Sequence, residues 1–230
     1  MEAAGRVRRI GISAVQRICS DQVIVDLQSA LKELLENALD AGATKIEVRL
    51  KESGVELLEL SDNGRGIPVA SRDGVALRHT TSKLEEFDDL QRLRSFGFRG
   101  EALNSLAALS TLSISTRTKE DATGMTLAIG TDGAVKKSTP LARDVGTAVS
   151  VGQLFAPFPV RRRELQRNAN NDFRKMLVAL QAYGIICDDV RFNCVNTQAR
   201  GGRKVVLQTE GGRGGGGGSS GGASQGSGMR

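Results

Sequence analysis

ELLENALDAGA, residues 33 to 43, places Glu33, Asn37 and Asp40 at intervals of four and three inside an otherwise apolar helical pattern. Leu31, Leu34, Leu35, Ala38 and Leu39 follow the i, i+3, i+4, i+7, i+8 rule and define one buried face. The three polar residues form a second stripe beside it, with Glu36 at its edge. Asp26 is placed to cap the helix N-terminus and Gly42 to end it. A solvated stripe is the ordinary explanation. A functional one needs a partner for an amide set among carboxylates: asparagine is an uncharged oxygen ligand for Mg²⁺, and a nearby glutamate can orient and deprotonate water.

Downstream, KIEVRLK (45 to 51) alternates Ile46, Val48 and Leu50, and VELLEL (55 to 60) comes after Ser53-Gly54, which predicts two strands joined by a tight turn. Residues 61 to 98 are polar and turn-rich, with a short helix expected around Ser71 to Leu77. A segment this long inside a domain reads as a functional lid. Glu101 to Leu109 is helical in pattern. TLSISTRT, MTLAIG and TAVSVGQLF read as strands, 170 to 183 as a second long amphipathic helix, and VRFNCVN and KVVLQT as closing strands. Helices segregated from consecutive strands predict an α+β sandwich with a mixed or antiparallel sheet.

Composition narrows the setting. Cys19, Cys187 and Cys194 are odd in number and lack CxxC spacing, against both a disulfide framework and a structural zinc site. No apolar run reaches the roughly 20 residues of a membrane span, and the N-terminus lacks a secretory core. A soluble intracellular protein with no membrane partner is expected. The formal charge of +6 favours polyanionic partners, and Arg161, Arg162, Arg163 and Arg167 concentrate it, although a solvated helix face would look the same. From Gly211 the chain is mostly glycine and serine, a composition that cannot offset its ordering entropy, so disorder is expected there.

Three further stretches carry chemistry. In SDNGRGIP (61 to 68), Asp62 ends a strand and Gly64 and Gly66 come next; a hairpin turn and a purine-reading carboxylate are both compatible with it. In SFGFRGEALNSL (95 to 106), Gly97 and Gly100 bracket an arginine before a helix N-terminus, where free N–H groups and the positive dipole end favour phosphate. It is not the P-loop pattern. In VGTAVSVGQLF (145 to 155), Gly146-Thr147 enters a strand.

Together, ExxxN, DxGxG, a polar lid ending in GFRG and GT before a strand resemble the four motifs of the GHKL ATPases, with their Bergerat-type two-layer sandwich of a mixed, largely antiparallel sheet and helices on one face. The resemblance implies ATP and Mg²⁺ as cofactors, Glu33 as the general base and Asn37 as the Mg²⁺ ligand. Asp62 would read adenine, Gly66 would pack near the base and Thr147 would support Asp62. Asp40 is placed at the nucleotide, as are Thr81, Ser82 and Lys83 of the lid and Gly97, Phe98, Arg99, Gly100, Glu101, Ala102 and Leu103 at the helix start. KELLENALDAGAT, SDNGRGI, TTSK, FGFRGEAL and LFxxxPVR resemble MutL, the DNA mismatch repair ATPase. ICSDQV, LEEFDDL and LQAYGIICDDVRFNC are similar to its eukaryotic post-meiotic-segregation branch. The similarity runs from about Arg9 to Leu207.

The likeness to MutL implies an ATPase domain over residues 1–207 with an ATP lid at 72–98, and a glycine-rich tail at 208–230 standing where a transducer domain would begin. The transducer lysine that reaches the γ-phosphate and the endonuclease motif of this branch are not in the sequence, so a fragment, a truncated gene product or a short paralogue is expected, with weak hydrolysis. A heterodimer with another MutL homologue, sequence-independent binding of double-stranded DNA, contact with MutS-type mismatch-recognition proteins and nuclear residence are also implied. Two other classes compete. A non-catalytic nucleotide- and DNA-binding module would share the pocket, and a histidine-kinase-type domain would need a phospho-accepting histidine, whereas the one histidine is His79 in the lid.

Overall fold

The computed structural model describes residues 19–20, 22–78, 80 and 100–211. The described chain begins its regular structure with α1 (Leu27–Asp40), then β1 (Lys45–Lys51), a 3₁₀ turn (Glu52–Gly54), β2 (Leu57–Asp62), the short α2 (Val69–Arg72) and α3 (Ala102–Leu109). It continues through β3 (Thr111–Arg117), β4 (Gly124–Ile129), β5 (Val135–Leu141), β6 (Gly146–Gly152), α4 (Pro159–Ile186), β7 (Arg191–Gln198) and β8 (Gly202–Gln208). All eight strands form one sheet in the order β5-β4-β3-β6-β2-β1-β7-β8. Every pairing is antiparallel except β1 with β7, and the long helix α4 lies in the connection from β6 to β7.

Period-two alternation decides which side of the sheet faces the helices. Ile46, Val48, Leu50, Leu58, Leu60, Leu112, Ile114, Val151, Phe192 and Cys194 are buried in one core with Leu27, Leu31, Leu34 and Leu35 of α1 and Met176 and Leu180 of α4. Each large aliphatic so buried contributes about 1.5–3 kcal/mol. The opposite face is polar: Arg49 pairs with Glu47 at 3.0 Å and with Glu59 of β2 at 3.3 Å, and Glu59 accepts from the Ser150 hydroxyl. This is the α+β sandwich that the pattern predicts, in the mixed, largely antiparallel form that the resemblance to the GHKL ATPases implies.

Two expectations need correction. The helix expected around Ser71 to Leu77 is the shorter α2, Val69–Arg72, because Asp73-Gly74 turns the chain away. The helix expected over 170 to 183 begins at Pro159 and runs 28 residues; only Leu165 is buried in its first half, so the amphipathic signal there is faint. One strand, β5 (VKKSTPL), carries no apolar alternation and is absent from the sequence pattern. It is an edge strand exposed along most of its length, where lysines and Pro140 are tolerated because one side needs no partner.

Candidate nucleotide site

The polar stripe of α1 is held in place by both helix ends. Asp26 accepts from the Ser29 N–H at 2.7 Å and the Ser29 hydroxyl accepts from the Asp26 N–H at 2.9 Å, a reciprocal cap that satisfies two otherwise unpaired donors. At the other end Gly42 adopts φ +75, and the bonds Gly42 N–H to Leu39 and Ala43 N–H to Ala38 close the last turn. Between them Glu33, Asn37 and Asp40 are half-buried on one side of the helix. Glu36 does something different: it is 8 % exposed and accepts from the Tyr183 hydroxyl of α4 at 2.8 Å, with Lys32 at 3.6 Å. Burial, then the bond to Glu36, pushes the Tyr183 hydroxyl well above its ordinary range, so it stays a donor.

The loop after β2 is folded onto the end of that helix. The Arg65 N–H donates to the Ala41 carbonyl at 3.1 Å, and Asn63 Oδ1 accepts from the N–H groups of Thr44 and Lys45 at 2.9 and 2.8 Å. The Asp62-Asn63-Gly64 sequence therefore serves as more than a hairpin turn; it locks the segment between α1 and β1 beside the end of β2. Asp62 itself is buried, at 9 % exposure. Its Oδ1 accepts from the Gly64 N–H at 2.8 Å and from the Thr147 N–H at 3.2 Å. Among the described residues no donor reaches Oδ2, which is available as an acceptor. Burial pushes the Asp62 carboxyl up, while the two N–H bonds and the charge of Arg143 pull the other way.

Gly66 is required by its surroundings. Its φ is +77, and a Cβ there would sit 2.2 Å from the Arg117 carbonyl oxygen. The loop is thus pressed against β3, and the Ile67 N–H donates to the Thr116 hydroxyl at 2.8 Å. Arg72 anchors the next stretch, donating to the Ile67 carbonyl at 3.0 Å and pairing with Asp121. Backbone and hydroxyl bonds from Thr118, with the Arg72 charge, hold the Asp121 carboxyl below its ordinary value. At the start of α3, Gly100 has φ +61, Glu101 is the N-cap without a side-chain cap bond, and Arg78 pairs with Glu101 at 3.5 Å. Asn104 donates to the Ala76 carbonyl at 2.9 Å.

The predicted residues thus fall into three groups. Asp62, Gly66 and Thr147 are brought together by hydrogen bonds and close packing, with α1 and its Glu33, Asn37 and Asp40 tied to the same loop. Gly100, Glu101, Ala102 and Leu103 lie at a helix start whose N-cap residue, Glu101, makes no side-chain cap bond. Thr81, Ser82, Lys83, Gly97, Phe98 and Arg99 lie outside the described residues, as do His79, most of the 72–98 lid and the tail from 212. A cleft of about 520 Å³ lined by Arg117, Thr123, Arg143 and Asp144 is a separate feature. Alternation along β3 sends Arg117 to the face opposite Thr116.

The basic stretch divides in two. Arg161 stacks over the Phe155 ring at 3.9 Å and donates to the Val25 carbonyl at 2.5 Å; Arg162 donates to the Val55 and Leu154 carbonyls and pairs with Glu56 at 2.8 Å. These two arginines fasten the start of α4 to the domain. Arg163 and Arg167 are exposed. The ties Tyr183–Glu36, Arg72–Asp121 and Ile67–Thr116 are invisible in the sequence, since each joins residues 49 to 147 positions apart with no local pattern to mark the partner.

Residues 25–144 match the family described as histidine kinase-, DNA gyrase B-, and HSP90-like ATPase. The chain belongs to that family of ATPases. Within it, the chain falls with the N-terminal ATPase region of the MutL-type mismatch repair proteins. It is 48 % identical over 211 residues to the mismatch repair endonuclease PMS2 of Gallus gallus (92 % of this chain, 24 % of the relative). It is 46 % identical over 210 residues to PMS2 of Homo sapiens (91 % and 24 %), and 45 % identical over 205 residues to DNA mismatch repair protein PMS1 of Arabidopsis thaliana (89 % and 22 %). The chain spans about a quarter of the length of these relatives. Among solved structures, the N-terminal domain of a DNA repair protein superposes with a TM-score of 0.75 at 38 % identity, covering 85 % of this chain and 56 % of that one. The Aquifex aeolicus MutL ATPase domain complexed with ADP gives a TM-score of 0.65 at 26 % identity, covering 83 % and 66 %.

Proposed function

We propose that this chain binds ATP between α1, the Asp62–Ile67 loop and the start of α3, and hydrolyses it slowly, as the nucleotide-driven switch of a mismatch repair factor. The observation that carries the reading is Asp62: a buried carboxylate with one oxygen fixed by two backbone N–H groups and the other left to accept from an exocyclic purine amine. That the Aquifex aeolicus relative is complexed with ADP supports adenine as the base. Thr147 supports Asp62, and Gly66 lets the backbone lie close to the ring. Asp40, Gly100, Glu101, Ala102 and Leu103, together with Thr81, Ser82, Lys83, Gly97, Phe98 and Arg99, bind along the sugar and phosphates, the helix-start N–H groups meeting the anion.

Glu33 is assigned the general base, orienting water for in-line attack on the γ-phosphorus, and Asn37 the single protein ligand to Mg²⁺. Among the described residues no cluster of three acidic, histidine or cysteine side chains could hold a metal by itself. That suits an ion bound through one amide oxygen, phosphates and waters, the usual habit of Mg²⁺. When bound it would neutralise charge developing on the phosphates. The chain's own residues orient water, hold its proton at the Glu33 carboxylate and position the purine; catalysis rests on positioning, so turnover is slow.

Further along the same reading, residues 1–207 act as one ATPase unit with 208–230 as its tail. ATP favours pairing with a second MutL homologue, and duplex DNA is held without sequence preference through Arg163 and Arg167 more than through Arg161 and Arg162. MutS-type proteins are the upstream partner and the nucleus the site of action, in keeping with the mismatch repair role that the names of the eukaryotic relatives carry. The test is Glu33→Ala in the purified chain: ADP affinity should be retained and ATP turnover abolished. Unchanged hydrolysis would remove Glu33 from its role.

A further inference from the structure

We infer that Thr116, on β3, is the positioning residue that sets the purine end of the pocket. The assignment rests on Asp62 as the reader of the purine. Thr116 is fully buried, at 0 % exposure, and its hydrogen bonds reach neither the polar stripe of α1 nor the Asp62 carboxylate. Its hydroxyl accepts from the Ile67 N–H at 2.8 Å, lies 3.2 Å from the Thr147 hydroxyl, and is within 3.3 Å of the Gly146 carbonyl as a donor. One oxygen therefore joins the two segments that build the base-binding wall: the Gly64–Ile67 loop after β2 and the entry to β6.

The register explains why a hydroxyl is needed there. Thr116 and Thr147 are directly opposed across β3 and β6, so their side chains share a face. Thr147 supplies the N–H that fixes Asp62 Oδ1, and Gly66, one residue before Ile67, has no room for a Cβ against the neighbouring Arg117 carbonyl. The half-buried Ile67 N–H points at the fully buried Thr116 hydroxyl, so water is at best a partial substitute for that partner. Without the Thr116 hydroxyl it has no partner among the described residues in its present position, so the loop must shift, carrying Gly66 out of line with Asp62, while the Thr147 hydroxyl loses its neighbour at 3.2 Å. Arg72 reinforces the arrangement from the other side through the Ile67 carbonyl at 3.0 Å. The phosphate end of the pocket, on α1 and the start of α3, does not depend on this oxygen.

The experiment titrates ADP and, separately, inorganic tripolyphosphate into the whole chain and into Thr116→Val and Thr116→Ser, with thermal melting alongside. Valine keeps the shape and removes the hydroxyl; serine keeps the hydroxyl. ADP binding should weaken about tenfold in Thr116→Val, the consequence of a lost hydrogen bond that held the loop in place, and stay within about twofold in Thr116→Ser. Tripolyphosphate, which has no purine, should bind all three alike. Equal ADP affinity in Thr116→Val, or equal weakening of ADP and tripolyphosphate, overturns the assignment. If the valine variant does not fold, Thr116→Ala against Thr116→Ser reads the same hydroxyl, and equal ADP affinity in those two overturns it. Failure of the unchanged chain to bind ADP would instead remove the nucleotide reading on which the assignment stands.

Discussion

Replacing Asp62 by asparagine separates what this residue does for the fold from what it does for the ligand. The asparagine carbonyl can take the place of Oδ1 and keep the bonds from Gly64 and Thr147. Its amide then puts a donor where Oδ2 was an acceptor, facing the purine amine with like against like. Loss of a hydrogen bond to a charged acceptor is worth about 1.5–3 kcal/mol. ADP affinity should therefore fall roughly 10- to 150-fold. Stability should move the other way. Burial raises the Asp62 carboxyl above its ordinary 3.8, so the fold favours the protonated form. Its contribution is complete below 3.8 and is lost as pH rises through the raised folded value. At neutral pH the charge is kept at a cost, and Asp62→Asn should melt at or above the unchanged chain, the difference closing as pH falls toward 3.8. Asp62→Ala is the contrast, since stranding two buried N–H groups costs about 2–6 kcal/mol in total. Calorimetric ADP titration and melting at neutral and acidic pH measure both halves. Undiminished ADP affinity in Asp62→Asn, with the fold intact, would refute the assignment.

Gly66→Ala should destabilise well beyond Gly42→Ala: both have positive φ, which costs about 1–2 kcal/mol for a residue with a Cβ, but only at Gly66 does that Cβ meet a carbonyl, at 2.2 Å, and Gly42 has nothing within 4 Å. Urea melts of the two variants read the difference, and equal losses would contradict the close approach to β3. Tyr183→Phe should cost about 1–3 kcal/mol by leaving the buried Glu36 carboxylate without its hydroxyl donor, because the remaining partner, Lys32, is an exposed residue at 3.6 Å and compensates little. Arg162→Ala should lower the melting temperature, having lost the Val55 and Leu154 carbonyls and Glu56. Arg163→Ala and Arg167→Ala should leave melting unchanged yet each weaken duplex DNA binding and reduce its salt slope by about one. DNA affinity that ignores salt would make the whole stretch ordinary solvated surface.

The central helix and most strands are legible in the sequence because their signals are local. ELLENALDAGA carries its own periodicity and stop, with the Asp26 cap about two turns upstream, and KIEVRLK alternates cleanly because one face of β1 is buried and the other wet. VKKSTPL gives no signal because an exposed edge strand is shaped by pairing with β4 alone. Of the site, the residues on recognisable motifs stand out, but their connections do not. Asp62 is bonded to Thr147 across 85 positions and Thr116 reaches Ile67 across 49, so the hydroxyl that joins them lies in a strand whose sequence, TLSISTR, looks like any other. Composition likewise is silent on which arginines of the VRRRELQR run face inward; that depends on where the carbonyls of Val25, Val55 and Leu154 end up.

The most direct measurement is a structure of the chain crystallised with a non-hydrolysable ATP analogue and magnesium. The purine amine should lie within hydrogen-bond distance of Asp62 Oδ2, the triphosphate should run past Asn37 toward the start of α3, and a water should sit between Glu33 and the terminal phosphorus. An analogue seated elsewhere, such as in the cleft between Arg117 and Arg143, or none bound at millimolar concentration, would contradict the account.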